Sequence, residues 1–161
     1  MINIFGNCWD HLEDADLICV LTNRTVINGH LSMGGGQARE AAELFPTLPE
    51  VWGHILDKDS PDNIWKPLQY GFYNDGNPKL VAFPTMDKPG SPGDLKLIEE
   101  SAKALTELVD CLLFPQKVIV PRPGCGIGGL DYEVEVEPIL AKYFDDRFFV
   151  ITFATEDSMV L

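Results

Sequence analysis

The chain has 161 residues, 45 % of them apolar, with 25 acidic against 12 basic side chains and a formal net charge of −13. That length supports one domain with a full core, residues 1–161. The negative field opposes binding along a nucleic-acid backbone, whose affinity rests on Lys and Arg neutralising phosphates. No apolar run approaches the ~20 residues of a membrane span.

Met1-Ile2-Asn3-Ile4-Phe5 alternates like a strand and lacks the basic region and apolar core of a secretion signal, so the cytoplasm is the expected compartment, and a monomer is the expected state. Leu17-Ile18-Cys19-Val20-Leu21-Thr22 is continuously apolar up to its last residue, the pattern of a central strand covered on both faces. A loop from Asn23 to Met33 leads to Gly34-Gly35-Gly36. Ala38, Ala41, Ala42 and Phe45 then follow with helical spacing until Pro46. A second helix is predicted from about Pro49 to Leu56, with Leu48, Val51, Trp52 and Ile55 inward, followed by a loop over 57–67.

Leu68–Tyr73 and Lys79–Pro84 flank Asn74-Asp75-Gly76-Asn77-Pro78 and predict a hairpin. Ser91-Pro92-Gly93-Asp94 has the form of a helix start capped by Ser91. Leu95, Ile98, Ala102, Leu105, Leu108 and Val109 form the apolar stripe of the helix it opens. Val118-Ile119-Val120 reads as a buried strand, Pro138 as the first turn of a short helix, and Phe148–Phe153 as the last strand. Strands alternating with helices predict a three-layer α/β/α sandwich around a mixed, roughly six-stranded sheet. Four scattered cysteines and three histidines show no ligand spacing, so free thiols, no metal and no cofactor are expected.

The stretch with most chemical content is Pro121-Arg122-Pro123-Gly124-Cys125-Gly126-Ile127-Gly128-Gly129-Leu130. Its glycines allow successive N–H groups to converge on one anion. With the second glycine run at a helix start, where the dipole is positive, two anion cradles suggest a diphosphate. Gly124-x-Gly126-x-x-Gly129 formally matches a dinucleotide fingerprint, but that motif follows the first strand of its fold, and here four predicted strands precede the one it follows. Neither run continues into Gly-Lys-Ser/Thr, so a Walker loop is absent.

Taken together, Ile4–Cys8, Thr22-Asn23, Asn28-Gly29, Met33–Ala38, Phe83-Pro84-Thr85 and Pro121–Tyr132 resemble, in order, the motifs of the macro domains, which bind ADP-ribose. The resemblance spans nearly the whole chain. It implies that Asn7 and Cys8 hold adenine, Asn7 standing where the family has an aspartate, and that Asn23 belongs to the first ligand loop. It also implies that Asn28 faces the distal ribose, with Gly34, Gly35 and Gly36 against that ribose and the diphosphate. Gly124, Cys125, Gly126, Ile127, Gly128 and Gly129 would form the phosphate clamp. Phe153 would pack on adenine or its ribose, or else serve the core.

The sequence resembles most the branch of ADP-ribosyl glycohydrolases that carry lysine after Phe-Pro-Thr. Here that residue is Met86, which cannot act as amine nucleophile or proton donor. Lys88 stands two residues on, either folded inward or solvated. Asp131 occupies the place of the branch's catalytic aspartate, as general base, helix cap or both. His30 is a further acid or base, or a solvated loop residue. These implications leave two functions open, hydrolysis of an ADP-ribosylated macromolecule or of ADP-ribose 1″-phosphate, and binding of ADP-ribose without turnover. A regulatory domain for another nucleotide is the third.

Overall fold

A computed structural model of the protein describes residues 1–58 and 79–153. Its main strands are β1 (Ile2–Phe5), β2 (Leu17–Thr22), β5 (Lys79–Pro84), β6 (Val118–Pro121) and β7 (Phe148–Thr152). They form a sheet in the order β1-β7-β6-β2-β5, and every pairing is parallel. Two residues each of β3 (Val26–Ile27) and β4 (His30–Leu31) make a separate antiparallel ribbon. The helices are α1 (Gly36–Leu44), α2 (Leu48–Lys58), α3 (Leu95–Leu112) and the short α4 (Glu137–Leu140). The predicted strand Leu68–Tyr73, which would make the sheet mixed, lies outside the described residues.

Side chains alternate across a strand, so the unbroken apolar run of β2 supplies two cores. Ile18 and Val20 face a cluster with Leu80, Ala82, Ile119, Leu48, Trp52 and Ala41, under α1 and α2. Leu17 and Cys19 face the other, with Val81, Phe83, Val118, Phe148, Leu105 and Leu140, under α3 and α4. A three-layer α/β/α sandwich results, as predicted. Ile98, Ala102, Leu105, Leu108 and Val109 of the α3 stripe are all fully buried.

Three local expectations are corrected. Helix α3 is capped by Asp94, not Ser91. The Asp94 side chain accepts from the Leu97 amide at 3.1 Å, while the Gly93 and Asp94 amides donate to Gly128 and Thr85 carbonyls, which holds this segment extended. Helix α2 includes Asp57 and Lys58, and Val51 is 37 % exposed instead of inward. The inward face is completed by Gly53, where a Cβ would stand 2.3 Å from the Gly29 carbonyl oxygen and 2.7 Å from His30 Cα. The β3–β4 ribbon lies directly on that bare helix backbone. Its turn is Asn28-Gly29, with φ of 52° and 77°, the left-handed pair that a two-residue hairpin requires.

Connections set where a ligand can enter. After β2 come α1 and α2, packed on one face of the sheet, with β5 beside β2, whereas after β6 comes α4, packed on the other face, with β7 beside β6. Strands β2 and β6 are therefore a topological switch point, and the crevice above their carboxyl ends is where open parallel sheets bind ligands.

Gly53→Ala tests the packing of the ribbon. In an open helix this change stabilises by about 1 kcal/mol. Here the new methyl meets backbone, and an overpacking cost of about 2 kcal/mol lowers the melting temperature by roughly 4–8 °C. A melting temperature that rises in circular dichroism would show that the ribbon does not rest on α2.

Candidate functional site

Strands β2 and β6 pair only at Leu17↔Val118 and Ile18↔Ile119 and then part. The Gln37 side chain fills the gap like a piece of strand. Its Oε1 accepts from the Leu21 amide at 2.8 Å and its Nε2 donates to the Cys19 carbonyl at 2.8 Å. Gln37 lies in the first turn of α1, so these two bonds fix the N-terminus of that helix at the mouth of the crevice. Its N-cap, Gly35, offers no side chain to the first-turn amides. The helix start is left with its orphan donors and positive dipole directed outward.

Above β6 the second glycine run turns back on itself. Leu130 N donates to the Gly124 carbonyl at 2.9 Å and Gly129 N to the Gly126 carbonyl at 3.1 Å. A Cβ on Gly128 would stand 2.7 Å from the Gly124 oxygen, so this tight turn admits only glycine at 128. Gly124 and Gly129 have φ of 72° and 73°, which L side chains avoid. Among the described residues, the amides of Gly126, Ile127 and Gly128 have no protein acceptor. Three adjacent N–H groups remain for a ligand. Ile127, 71 % exposed, reaches across to the other glycine run, its Cδ1 3.3 Å from where a Cβ of Gly35 would be.

These parts enclose two adjoining chambers. The larger, about 700 Å³, is lined by Asn23, Gly34, Gly35, Gly36, Met86, Arg122, Gly124, Cys125, Gly126, Ile127 and Gly128, among others. The smaller, about 390 Å³, is lined by Gly6, Asn7, Cys8 and Glu40. Gly36, Gln37, Pro121, Ile151 and Phe153 line both. Such volumes suit a small molecule, and two chambers that share a wall suit one with two ends. Phe153 is 67 % exposed at the junction, so the core reading of this residue is replaced by a place on the cleft wall.

Several sequence candidates stand outside the lining. Asn28 is exposed in the turn of the ribbon, and its carbonyl lies 2.9 Å from Nδ1 of His30, which is exposed as well. Lys88 is exposed, and its carbonyl accepts from the Ser91 amide. Gly129 is exposed behind the clamp. Asp131 is exposed and caps the π-helical turn Tyr132–Val136. Its Oδ1 accepts from Val134 N at 2.9 Å, and Glu135 Oε1 accepts from Asp131 N at 3.1 Å. Asn23 does line the cleft, but both ends of its amide are engaged, with the Ser32 carbonyl at 2.8 Å and the Thr25 amide at 3.0 Å. Gln37, which stands within the Met33–Ala38 motif but is given no role by it, ties the two chambers to the sheet.

In the larger chamber Arg122 is the one charged lining residue among those described. The thiols are poor nucleophiles. Burial raises Cys125 to about 11, against the pull of Arg122 and with help from Asp131 and Glu135. Burial likewise raises Cys8 to about 11, only partly offset by the contact from Gln37 Nε2 at 3.5 Å. No group of three or more His, Cys, Asp or Glu among the described residues could hold a metal ion. Among those residues, no helix is long and apolar enough to cross a membrane.

No protein-family model matches the chain, and no curated protein matches it in sequence. Solved structures do. The macrodomain of Thermus aquaticus DarG superposes with a TM-score of 0.74 at 18 % identity, covering 96 % of this chain and 97 % of that one. This chain has the macrodomain fold. The macrodomain of Mycobacterium tuberculosis DarG gives a TM-score of 0.67 at 24 % identity over 96 % of this chain and 99 % of its own. Thermosipho africanus DarTG, solved in complex with ADP-ribose, gives 0.71 at 19 % identity, covering 89 % of this chain and 39 % of that one. The cleft lies at the switch point the topology defines.

Thiolate is the reactive form, so raised values predict inert cleft cysteines near neutral pH. Exposed Cys111 should be alkylated first by iodoacetamide. Labelling of Cys125 should accelerate about tenfold per pH unit from about pH 7 to about pH 10, still below its raised value. Peptide mass spectrometry reads both sites, and Cys125 labelling as fast as Cys111 at neutral pH would contradict this environment.

Proposed function

We propose that this macrodomain binds ADP-ribose or an ADP-ribosyl group along the two chambers. Adenine sits in the smaller, by Asn7 and Cys8, and the diphosphate in the larger, between the α1 N-terminus and the amides of Gly126, Ile127 and Gly128. The observation that carries this reading is the pair of unsatisfied backbone donor sets facing one cleft. They hold an anion without basic side chains, and so reconcile a phosphate ligand with a net charge of −13. The Thermosipho structure with ADP-ribose supports the choice of ligand.

A phosphate-clamp variant must add charge without breaking the turn. Gly128 is unsuitable because any Cβ strikes the Gly124 backbone. At Gly126 a Cβ would have nothing within 4 Å, and the backbone there is not left-handed. Gly126→Glu should stay folded and weaken ADP-ribose by about tenfold or more, each ~1.4 kcal/mol of repulsion being a factor of ten. Calorimetric titration decides it. Undiminished affinity would remove the diphosphate from this loop.

A second reading is hydrolysis at the distal ribose, by the ADP-ribose-derivative chemistry the sequence suggests, with Asp131 as base and Asn28, His30 or Lys88 assisting. It is supported by Asp131 standing at the end of the clamp with its backbone and side chain both fixed by the reciprocal cap. Asp131→Asn is the informative variant, because asparagine caps a helix as well as aspartate but cannot take a proton. Loss of turnover with binding kept in Asp131→Asn would establish a hydrolase. Wild-type binding without release of ADP-ribose from any acyl, phosphoryl or base linkage would leave a binding module.

A further inference from the structure

Four arginines occur in this acidic chain, and three are paired with carboxylates: Arg24 with Asp87, Arg39 with Glu43, and Arg147 with Asp110 and Asp145. Arg122 is different. No carboxylate among the described residues is within ion-pairing distance, its Nε is buried without a hydrogen-bond partner, and its guanidinium carbon lies over the Tyr132 ring, 4.1 Å from the centroid. The ring is itself fixed, since Tyr132 Oη donates to Asn3 Oδ1 at 2.6 Å. An arginine held by an aromatic face keeps its in-plane N–H groups for another acceptor.

A second orphan lies next to it. Pro121, the last residue of β6, is in register with Ile151 of β7, so Arg122 leaves the end of β6 where Thr152 ends β7. Thr152 Oγ1 is also buried with no partner among the described residues, and both residues line the larger chamber. Buried donors and hydroxyls are rarely left unsatisfied in a native fold unless something else completes them. Here the two orphans border the Pro121, Ile151 and Phe153 wall shared by both chambers. With adenine in one chamber and the diphosphate in the other, that junction is where the adenosine ribose must pass.

We propose that Arg122 and Thr152 form a subsite for a phosphomonoester on the adenosine ribose, so that the preferred ligand is an ADP-ribosyl nucleotide carrying a 2′-phosphate. The inference rests on the nucleotide reading above. The glycine amides serve the diphosphate, and the unpaired guanidinium supplies the fork that matches a second, separate phosphate. The Thr152 hydroxyl donates to the same group. In a cleft without any other basic lining residue among those described, this cation decides between nucleotides with and without the extra charge.

The test is calorimetric titration of the full chain with ADP-ribose and with ADP-ribose 2′-phosphate, in wild type, Arg122→Met and Thr152→Val. Wild type should favour the phosphorylated nucleotide by roughly tenfold or more, as charge-assisted bonds to phosphate do. Arg122→Met, which keeps an apolar stem over Tyr132, should bring the two nucleotides to one affinity, and Thr152→Val should reduce the ratio in part. Equal affinities in wild type overturn the proposal whether or not the variants fold. A ratio that survives Arg122→Met, or an equal loss for both nucleotides, overturns it too and assigns the guanidinium to their common diphosphate or to the fold. Binding of neither nucleotide by wild type rejects the ADP-ribose reading itself.

Discussion

The structure depends on the parting of two neighbouring strands. β2 and β6 hold together through Ile18 and Ile119 and then separate, which would leave a buried amide and carbonyl of β2 without ladder partners. The Gln37 amide supplies both, and because it belongs to α1 the same two bonds place a helix N-terminus over the gap. One side chain thus solves a sheet problem and builds one wall of the cleft. The other half follows from the β6 loop, closed on itself by Gly124, Gly126, Gly128 and Gly129 so that intervening amides turn outward.

Support for this arrangement comes from contacts away from the cleft. Gly93 passes the β6 loop closely, its amide on the Gly128 carbonyl at 3.0 Å. Ser101 of α3 sends its buried hydroxyl to the Pro84 carbonyl at 2.7 Å, tying the end of β5 to the helix. Arg24 pairs with Asp87, joining the loop after β2 to the loop after β5. The walls of the cleft are thereby connected to one another as well as to the sheet. A loop that carried free amides on a loose frame would lose much of its binding energy to ordering.

Much of this was legible in the residues. The run Leu17–Thr22 announces a strand buried on both faces, and the α3 stripe announces its helix, because burial imposes a period that composition cannot hide. The two glycine runs were legible as places where backbone amides stay uncovered, because of what they lack. Harder to see were features where one residue answers a neighbour distant in sequence. Gly53 reads as a weak point in a helix until the Asn28-Gly29 turn is seen lying on it. That Asn-Gly pair is itself a hairpin signal, muted here because its flanking strands are two residues long. Nothing in a single glutamine says that its amide will stand in for a strand. The roles implied for Asn28, His30, Lys88 and Asp131 place catalytic groups near the distal end of the cleft, whereas in this structure their side chains stand outside its lining.

The outward amides of residues 126–128 have a consequence for how such a protein changes over time. A surface made of backbone has no letters in the genetic code, since every residue but proline supplies the same N–H. What selection can act on there is the emptiness around the amides, kept by glycines and by neighbours that stay out of the way. Side chains elsewhere are then free to drift, which fits a fold shared across nearly the whole chain at 18 % identity. Along residues 126–128 the cleft is thus shaped by side chains that are missing.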